Sequence, residues 1–224
     1  MRYYQPMLPL IGTTPEGNPV PIPSSALPWR SKLFFLIKPP PCLSDEIYGL
    51  ASSHVHGRTN RQPHPAALLH VSLLAMGQFD EPPYHLLPRI KAAIGSIRAR
   101  PIRITLDESA LYGGARHLAL TSSGRNSDIQ AFVRMLHGAL TRHNLPRQTL
   151  TSISPHVTII YGYGRRELVT RREPYEWLAD EFALVYSHNG ERRHEEFYRW
   201  RFDAEAAPYA KPPRQLYLPI NLAD

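Results

Sequence analysis

Two segments of one design, His70-Val71-Ser72-Leu73-Leu74 and His156-Val157-Thr158-Ile159-Ile160, lie 86 residues apart in the chain. Side chains alternate faces along a β-strand, so residues i and i+2 point the same way. Each segment therefore reads as a strand with an imidazole and a hydroxyl on one face and a valine on the other. Two matching copies predict a duplicated half-site in which two histidines and two hydroxyls face a shared cleft. Polar side chains among Leu68-Leu69 and Leu73-Leu74 would cost about a few kcal/mol if left unpaired, which argues that they have work to do.

At 224 residues and 42% hydrophobic, the chain can bury a substantial core as one domain or two intertwined lobes. Lys plus Arg outnumber Asp plus Glu by 26 to 19, a formal charge of +7. That balance favours an anionic partner such as nucleic acid or a phosphate ester. Cys42 is the sole cysteine, which excludes an intrachain disulfide and any CxxC metal clip. No apolar run approaches the ~20 residues of a membrane span, and the N-terminus does not read as a signal peptide. A cytoplasmic monomer without membrane contact is the expectation.

Residues 1–30 carry seven prolines without apolar periodicity and read as an extended leader; residues 31–204 read as the folded domain and 205–224 as a tail. Leu33–Ile37 predicts a buried strand. Ser44 reads as the N-cap of a helix running toward Gly57, with Asp45 and Glu46 in its first turn. Leu68–Met76 is the first His strand, ended by Gly77. A second helix spans Pro83–Ile97, with a start near Leu87 because of Pro88. Ile102–Leu106 alternates as a strand, Gly113-Gly114 turns, and His117–Leu120 returns as its partner. Ser127 with Gln130 fits a capping box for an amphipathic helix ending near Asn144. After the second His strand, Glu181–Ser187 and Phe197–Phe202 read as strands, and 216–222 as an edge strand. The segment before each His strand holds a strand and a helix, so the halves look like diverged copies. The fold class is α+β, with helices covering the sheets.

Histidine is the side chain that populates both protonation states near neutrality. Two of them can serve as base and acid in one turnover, one deprotonating a nucleophile and the other protonating a leaving oxygen. Flanking hydroxyls can donate to nonbridging phosphate oxygens. Such equipment suits in-line attack at a phosphodiester and calls for no metal or other cofactor.

His70-Val71-Ser72-Leu73 and His156-Val157-Thr158-Ile159 resemble the paired H-x-[T/S]-hydrophobic motifs of the 2H phosphoesterase superfamily. Within it the chain most resembles the bacterial 2'-5' RNA ligase and RNA 2',3'-cyclic phosphodiesterase branch. Phe34-Phe35, Leu69, Gly77, Ser154-Pro155, Phe182–Ser187 and Tyr198-Arg199-Trp200 support the likeness, which spans about Lys32 to Phe202. It implies a two-lobed, pseudo-symmetric fold with antiparallel sheets lining a central groove and helices outside. His70 and His156 would then be the acid–base pair, with His156 as base and His70 as acid in hydrolysis. Ser72 and Thr158 would bind the phosphate. Ser72 stands where Thr is commoner, and Tyr161 where several relatives carry Arg, with Arg165 or Arg166 as candidate substitutes.

The implied activity is metal-independent hydrolysis of 2',3'-cyclic phosphate ends of RNA or nucleotides, to the 2'-phosphate, with 2'-5' ligation as its reverse. Two alternatives stay open: another small cyclic phosphate (an ADP-ribose cyclic phosphate or a cyclic dinucleotide) as substrate, or a non-catalytic RNA-binding module. Among remaining residues, Tyr112 and Tyr161 are base-stacking candidates, and Phe35 reads as core. His54 and His56 fall on a helix, His137 and His143 on a helix surface, and His188 and His194 flank an Asn189-Gly190 turn as structural residues. The Arg58–Arg61 loop either steers RNA or is solvated surface, and Arg165-Arg166 and Arg171-Arg172 read as solvated.

Overall fold

The structure is a computed structural model that describes residues 11–13, 19–21, 31–57, 59–124, 126–149, 154–169, 173–188 and 191–209. Its first strands, β1 (Ile11–Thr13) and β2 (Pro19–Pro21), pair antiparallel with each other. The next, β3 (Ser31–Ile37), is apolar on both faces because both are covered. Leu33, Phe35 and Ile37 enter the main core, while Phe34 and Leu36 join Ala183 and Val185 in a small separate cluster on the other side. Phe35 is core, as its sequence context predicts.

Helix α1 (Pro41–Val55) starts three residues before the expected cap. Proline at the first helical position has its φ preset and lacks only an N–H that would be unpaired there. Ser44 is consequently inside the helix, buried, its hydroxyl donating to the Pro39 carbonyl at 3.4 Å, and the first turn holds no acidic residue. Beyond the helix, Gly57 takes a left-handed φ of +68°.

Strand β4 (Val71–Phe79) runs through Gly77 instead of ending there. Its pairing with β3 slips twice, between Leu33 and Phe34 and between Phe35 and Leu36. The second slip is a bulge at Leu73, and it lets the successive Leu73 and Leu74 both be buried. A 3₁₀ turn at Tyr84–Leu86 leads into α2 (Leu87–Gly95), which starts at Leu87 as expected.

The expected pairing of Ile102–Leu106 with His117–Leu120 is wrong. Strand β5 (Ile102–Leu106) forms a separate two-stranded sheet with β9 (Tyr175–Ala179), whereas β7 (His117–Thr121) forms a hairpin with β6 (Glu108–Tyr112). Glu108–Tyr112 carries no fully buried residue and so no alternation to read. Helix α3 (Ser127–Arg142) lacks the expected capping box: Asn126 occupies the cap, its side-chain amide donating backward to the Gly124 carbonyl at 3.1 Å and not capping the helix, and the Ser127 hydroxyl donates to Asp128.

Strands β8 (His156–Ile160), β10 (Glu181–His188) and β11 (Arg193–Arg201) complete a seven-stranded antiparallel sheet of order β11-β10-β3-β4-β8-β7-β6. Its two halves meet at β4 and β8 through one residue pair, Val71 opposite Val157. Helix α1 packs against β8 and α3 against β4, so each half's helix backs the other half's motif strand. The expected turn at Asn189-Gly190 and edge strand at 216–222 lie outside the described residues. Among the described residues no helix is long and apolar enough to cross a membrane.

Candidate active site

The Val71–Val157 seam fixes where the motifs point. Both valines are fully buried in the main core. Directly opposed residues of an antiparallel pair share a face, so one step either way from the seam lies the opposite face. Continued from that pair, the register sets His70 across from Thr158 and Ser72 across from His156. Each hydroxyl thus lies beside the other motif's imidazole, and all four side chains share the face away from the core. Ser72 is exposed, and His70, His156 and Thr158 are half-buried.

Each imidazole is held in the same way. His70 Nδ1–H donates to the Leu68 carbonyl at 2.7 Å, and His156 Nδ1–H donates to the Ser154 carbonyl at 2.8 Å. A carbonyl can only accept, so both rings carry the proton on Nδ1 and leave Nε2 to exchange one. Aromatic neighbours fix the ring planes. Tyr112 stacks on His156 with centroids 4.5 Å apart and planes 18° apart, while Phe34 leans on His70 at 5.3 Å and 46°. The Tyr112 hydroxyl donates to Thr121 at 3.2 Å, and Ser154 lies 3.4 Å from it. Tyr112 is therefore a wall for His156, with one ring face already occupied.

The two halves differ in electrostatics. Around His70 stand His194, 5.2 Å between ring centroids and edge-on, and His64 and Lys38, which act on it or with it through charge. Burial lowers the His70 pKa to about 4; the Leu68 carbonyl opposes this, and charge on His156 and Lys38 adds to it. His64 falls to about 4, first from burial and then from His70 and Arg192, and His194 to about 3, from burial, His70 and Lys38. Both keep one buried ring nitrogen without a hydrogen-bond partner: Nε2 of His64 and Nδ1 of His194. Lys38 itself faces Glu196 at 3.8 Å.

Tyr161 follows β8 and closes this half. Its ring sits edge-on between His64, at 4.9 Å, and His117, at 5.1 Å. Burial raises its pKa, and a hydrogen bond from the Thr158 hydroxyl works against that rise. Arg165 faces Glu167 at 3.8 Å; the guanidinium beside the turn after Tyr161 is that of Arg61, which packs on Gly162. His194 is not merely a turn residue as expected, and His64, preceded and followed by prolines, carries no periodic signal that would have revealed it.

The profile of the 2'-5' RNA ligase superfamily matches residues 39–191, a span that includes both motifs and the seam. The chain belongs to that superfamily, the 2H phosphoesterases. Solved structures agree on the fold. Escherichia coli LigT complexed with NADP+ is 21% identical at a TM-score of 0.61, covering 77% of this chain and 98% of that one. LigT complexed with phosphate is 22% identical at 0.61 with the same coverage. TT0787 of Thermus thermophilus is 19% identical at 0.59, covering 78% of this chain and 100% of that one. No curated protein matches the chain. As a 2H phosphoesterase it has the two-lobed antiparallel fold expected from its motifs, the lobes joined as one sheet.

Proposed function

We propose that the protein is a phosphodiesterase that opens 2',3'-cyclic phosphate ends of RNA or nucleotides by acid–base chemistry between His70 and His156. One observation carries this reading: the single-pair seam at Val71 and Val157 sets both H-x-[S/T] units on one face. A phosphate centred over the seam meets one hydroxyl and one imidazole from each side. Ser72 donates to a nonbridging oxygen, and Thr158 does so by turning its hydroxyl from Tyr161 to the phosphate. LigT, whose structures include complexes with 3'-AMP, ATP and NADP+, supports a nucleotide as ligand.

In hydrolysis one imidazole takes a proton from water as the water oxygen bonds to phosphorus. The bond from phosphorus to the ribose 3'-oxygen breaks, and the second imidazole protonates that oxygen, leaving a 2'-phosphate. With a 5'-hydroxyl attacking in place of water, the same steps form a 2'-5' linkage. The surroundings of His70 favour it as the base, the reverse of the expectation from sequence. A ring whose pKa lies near 4 is neutral at pH 7 and ready to accept.

The test is incubation with 2',3'-cyclic nucleotides and cyclic-phosphate-ended oligoribonucleotides in EDTA, with products identified by phosphorus NMR. Conversion to 2'-phosphate is expected. Turnover that disappears in EDTA, or that survives intact in His70→Ala or His156→Ala, defeats the proposal.

A further inference from the structure

Four loops meet beside the Tyr161 end of the groove, and each contact that joins them is visible. Arg192 Nη2 donates to the Pro63 carbonyl at 2.8 Å, tying the end of the β10–β11 connection to the loop before β4. From that same loop, the Arg61 guanidinium carbon comes within 3.6 Å of where a Cβ on Gly162 would stand. Gly162, at a left-handed φ of +59°, donates its N–H to His117 Nδ1 at 2.8 Å, and Gly164 donates to the Arg116 carbonyl at 3.4 Å. Residues 59–64, 113–117, 161–167 and 191–193 therefore form one continuous rim.

That rim is strongly basic. It carries Arg61, Arg116, Arg165, Arg166, Arg192 and Arg193 against only Glu167 and Glu191. The two glutamates are taken up locally, Glu167 by Arg165 at 3.8 Å and Glu191 by Arg193 at 3.2 Å. Neither Arg61 nor Arg116 has an ion-pair partner among the described residues. A rim whose arginines outnumber its carboxylates draws anions, and spaced cations beside a phosphate site match a polyanion better than a lone nucleotide. Behind Arg61 opens a hollow of about 330 Å³ against the end of α1, lined by Tyr48, Val55, His56 and Thr59. Tyr48 is 41% exposed overall, an aromatic side chain open to a ligand.

We infer that this rim binds the single-stranded RNA upstream of the reacting end, Arg61 and Arg116 contacting its phosphates and the hollow at Tyr48 seating a neighbouring base. The inference rests on the phosphodiesterase reading for which end of the strand lies in the groove. Aromatic stacking beside a basic track is how single strands are held without regard to sequence.

The probe is a fluorescent octaribonucleotide ending in a 3'-phosphate, a product-like end that is not turned over. Its Kd is measured by anisotropy at 50 and 200 mM salt. Against wild type, Arg61→Gln/Arg116→Gln is expected to weaken binding about tenfold at 50 mM and to flatten the log Kd against log salt slope by about 0.7 per lost contact. Tyr48→Ala is expected to weaken it about tenfold with the slope unchanged. Thermal unfolding confirms that each variant is folded. An unaltered Kd and slope in the double variant, or no binding by wild type at 50 mM, overturns the surface, and normal binding by Tyr48→Ala overturns the seat for the base. Turnover of a 2',3'-cyclic mononucleotide is read in parallel. Absent turnover with intact arginine-dependent binding refutes the proposed activity alone, and turnover without such binding refutes the rim alone.

Discussion

His70 and His156 share a tautomer and a type of backbone anchor, yet their neighbours make them unequal. His70 is enclosed by Phe34, His194 and His64, whereas His156 lies against the phenol of Tyr112. The pH dependence of kcat/KM reports the free enzyme, so it reads this difference directly. With His70 as base, the limb it controls lies near its pKa of about 4, and kcat/KM holds its value as pH falls to about 5. With His70 as acid the same group would have to be protonated, and kcat/KM would already decline as pH rises past about 5. A profile over pH 4–8 on a cyclic mononucleotide decides between them. Replacing either imidazole with alanine is expected to cost about 10²–10⁴-fold in kcat, the usual scale for a general acid or base. The motif pair was legible from residue type and spacing alone, because strand periodicity is local. The order of the two roles was not, because it depends on the burial of His70 and on the charges of His156 and Lys38 around it, which only the folded chain brings together.

At the scale of elements, the seam explains why adjacent residues of one strand should answer to different measurements. Val157 is fully buried on the core face, and Thr158 lies on the groove face next to it. Val157→Thr keeps the shape but buries a hydroxyl without a partner, at about 1–3 kcal/mol of stability read by urea unfolding. Thr158→Val removes a donor to a charged phosphate, so stability should hold while kcat/KM drops about 10- to 100-fold, the equivalent of about 1.5–3 kcal/mol. The reverse pattern would mean that the two faces are exchanged. Periodicity revealed β3, β4, β8 and β10 because each has at least one face sealed by the core, and β11 through the aromatic side chains it lays half-buried against that core. It missed β6, which hides nothing fully, and β9 as well, and so mistook the partner of β5, since a strand's neighbour is set by the whole sheet. The misplaced helix starts at Pro41 and Ser127 have a simpler cause: a serine followed by an acid resembles a cap wherever it stands, and here proline or asparagine took the position first.

Across the whole molecule, the histidine cluster links the site to acid stability. His64, His70 and His194 come from the loop before β4, the residue before β4 and strand β11, and the fold alone brings them together. Their folded pKa values are about 4, 4 and 3, all below the ordinary 6.5. Groups depressed in this way are neutral when folded and bind protons first in the unfolded chain. Between pH 6.5 and about 4 the unfolded state therefore holds more protons, and stability falls as pH falls. It is fully present above 6.5 and is lost progressively below it, by up to about 1.4 kcal/mol per pH unit for each such group. Asp107, Glu196 and Asp203 are also lowered by their hydrogen bonds, but they lose their contribution only below the ordinary carboxylate range. The window from about pH 5 to 6.5 thus isolates the imidazoles. Urea midpoints across it should rise with pH in wild type, and His194→Phe, which removes one titrating group but keeps a ring beside Phe34 and His70, should flatten that slope. An equal slope in the variant would show that burial does not hold His194 neutral in the folded protein.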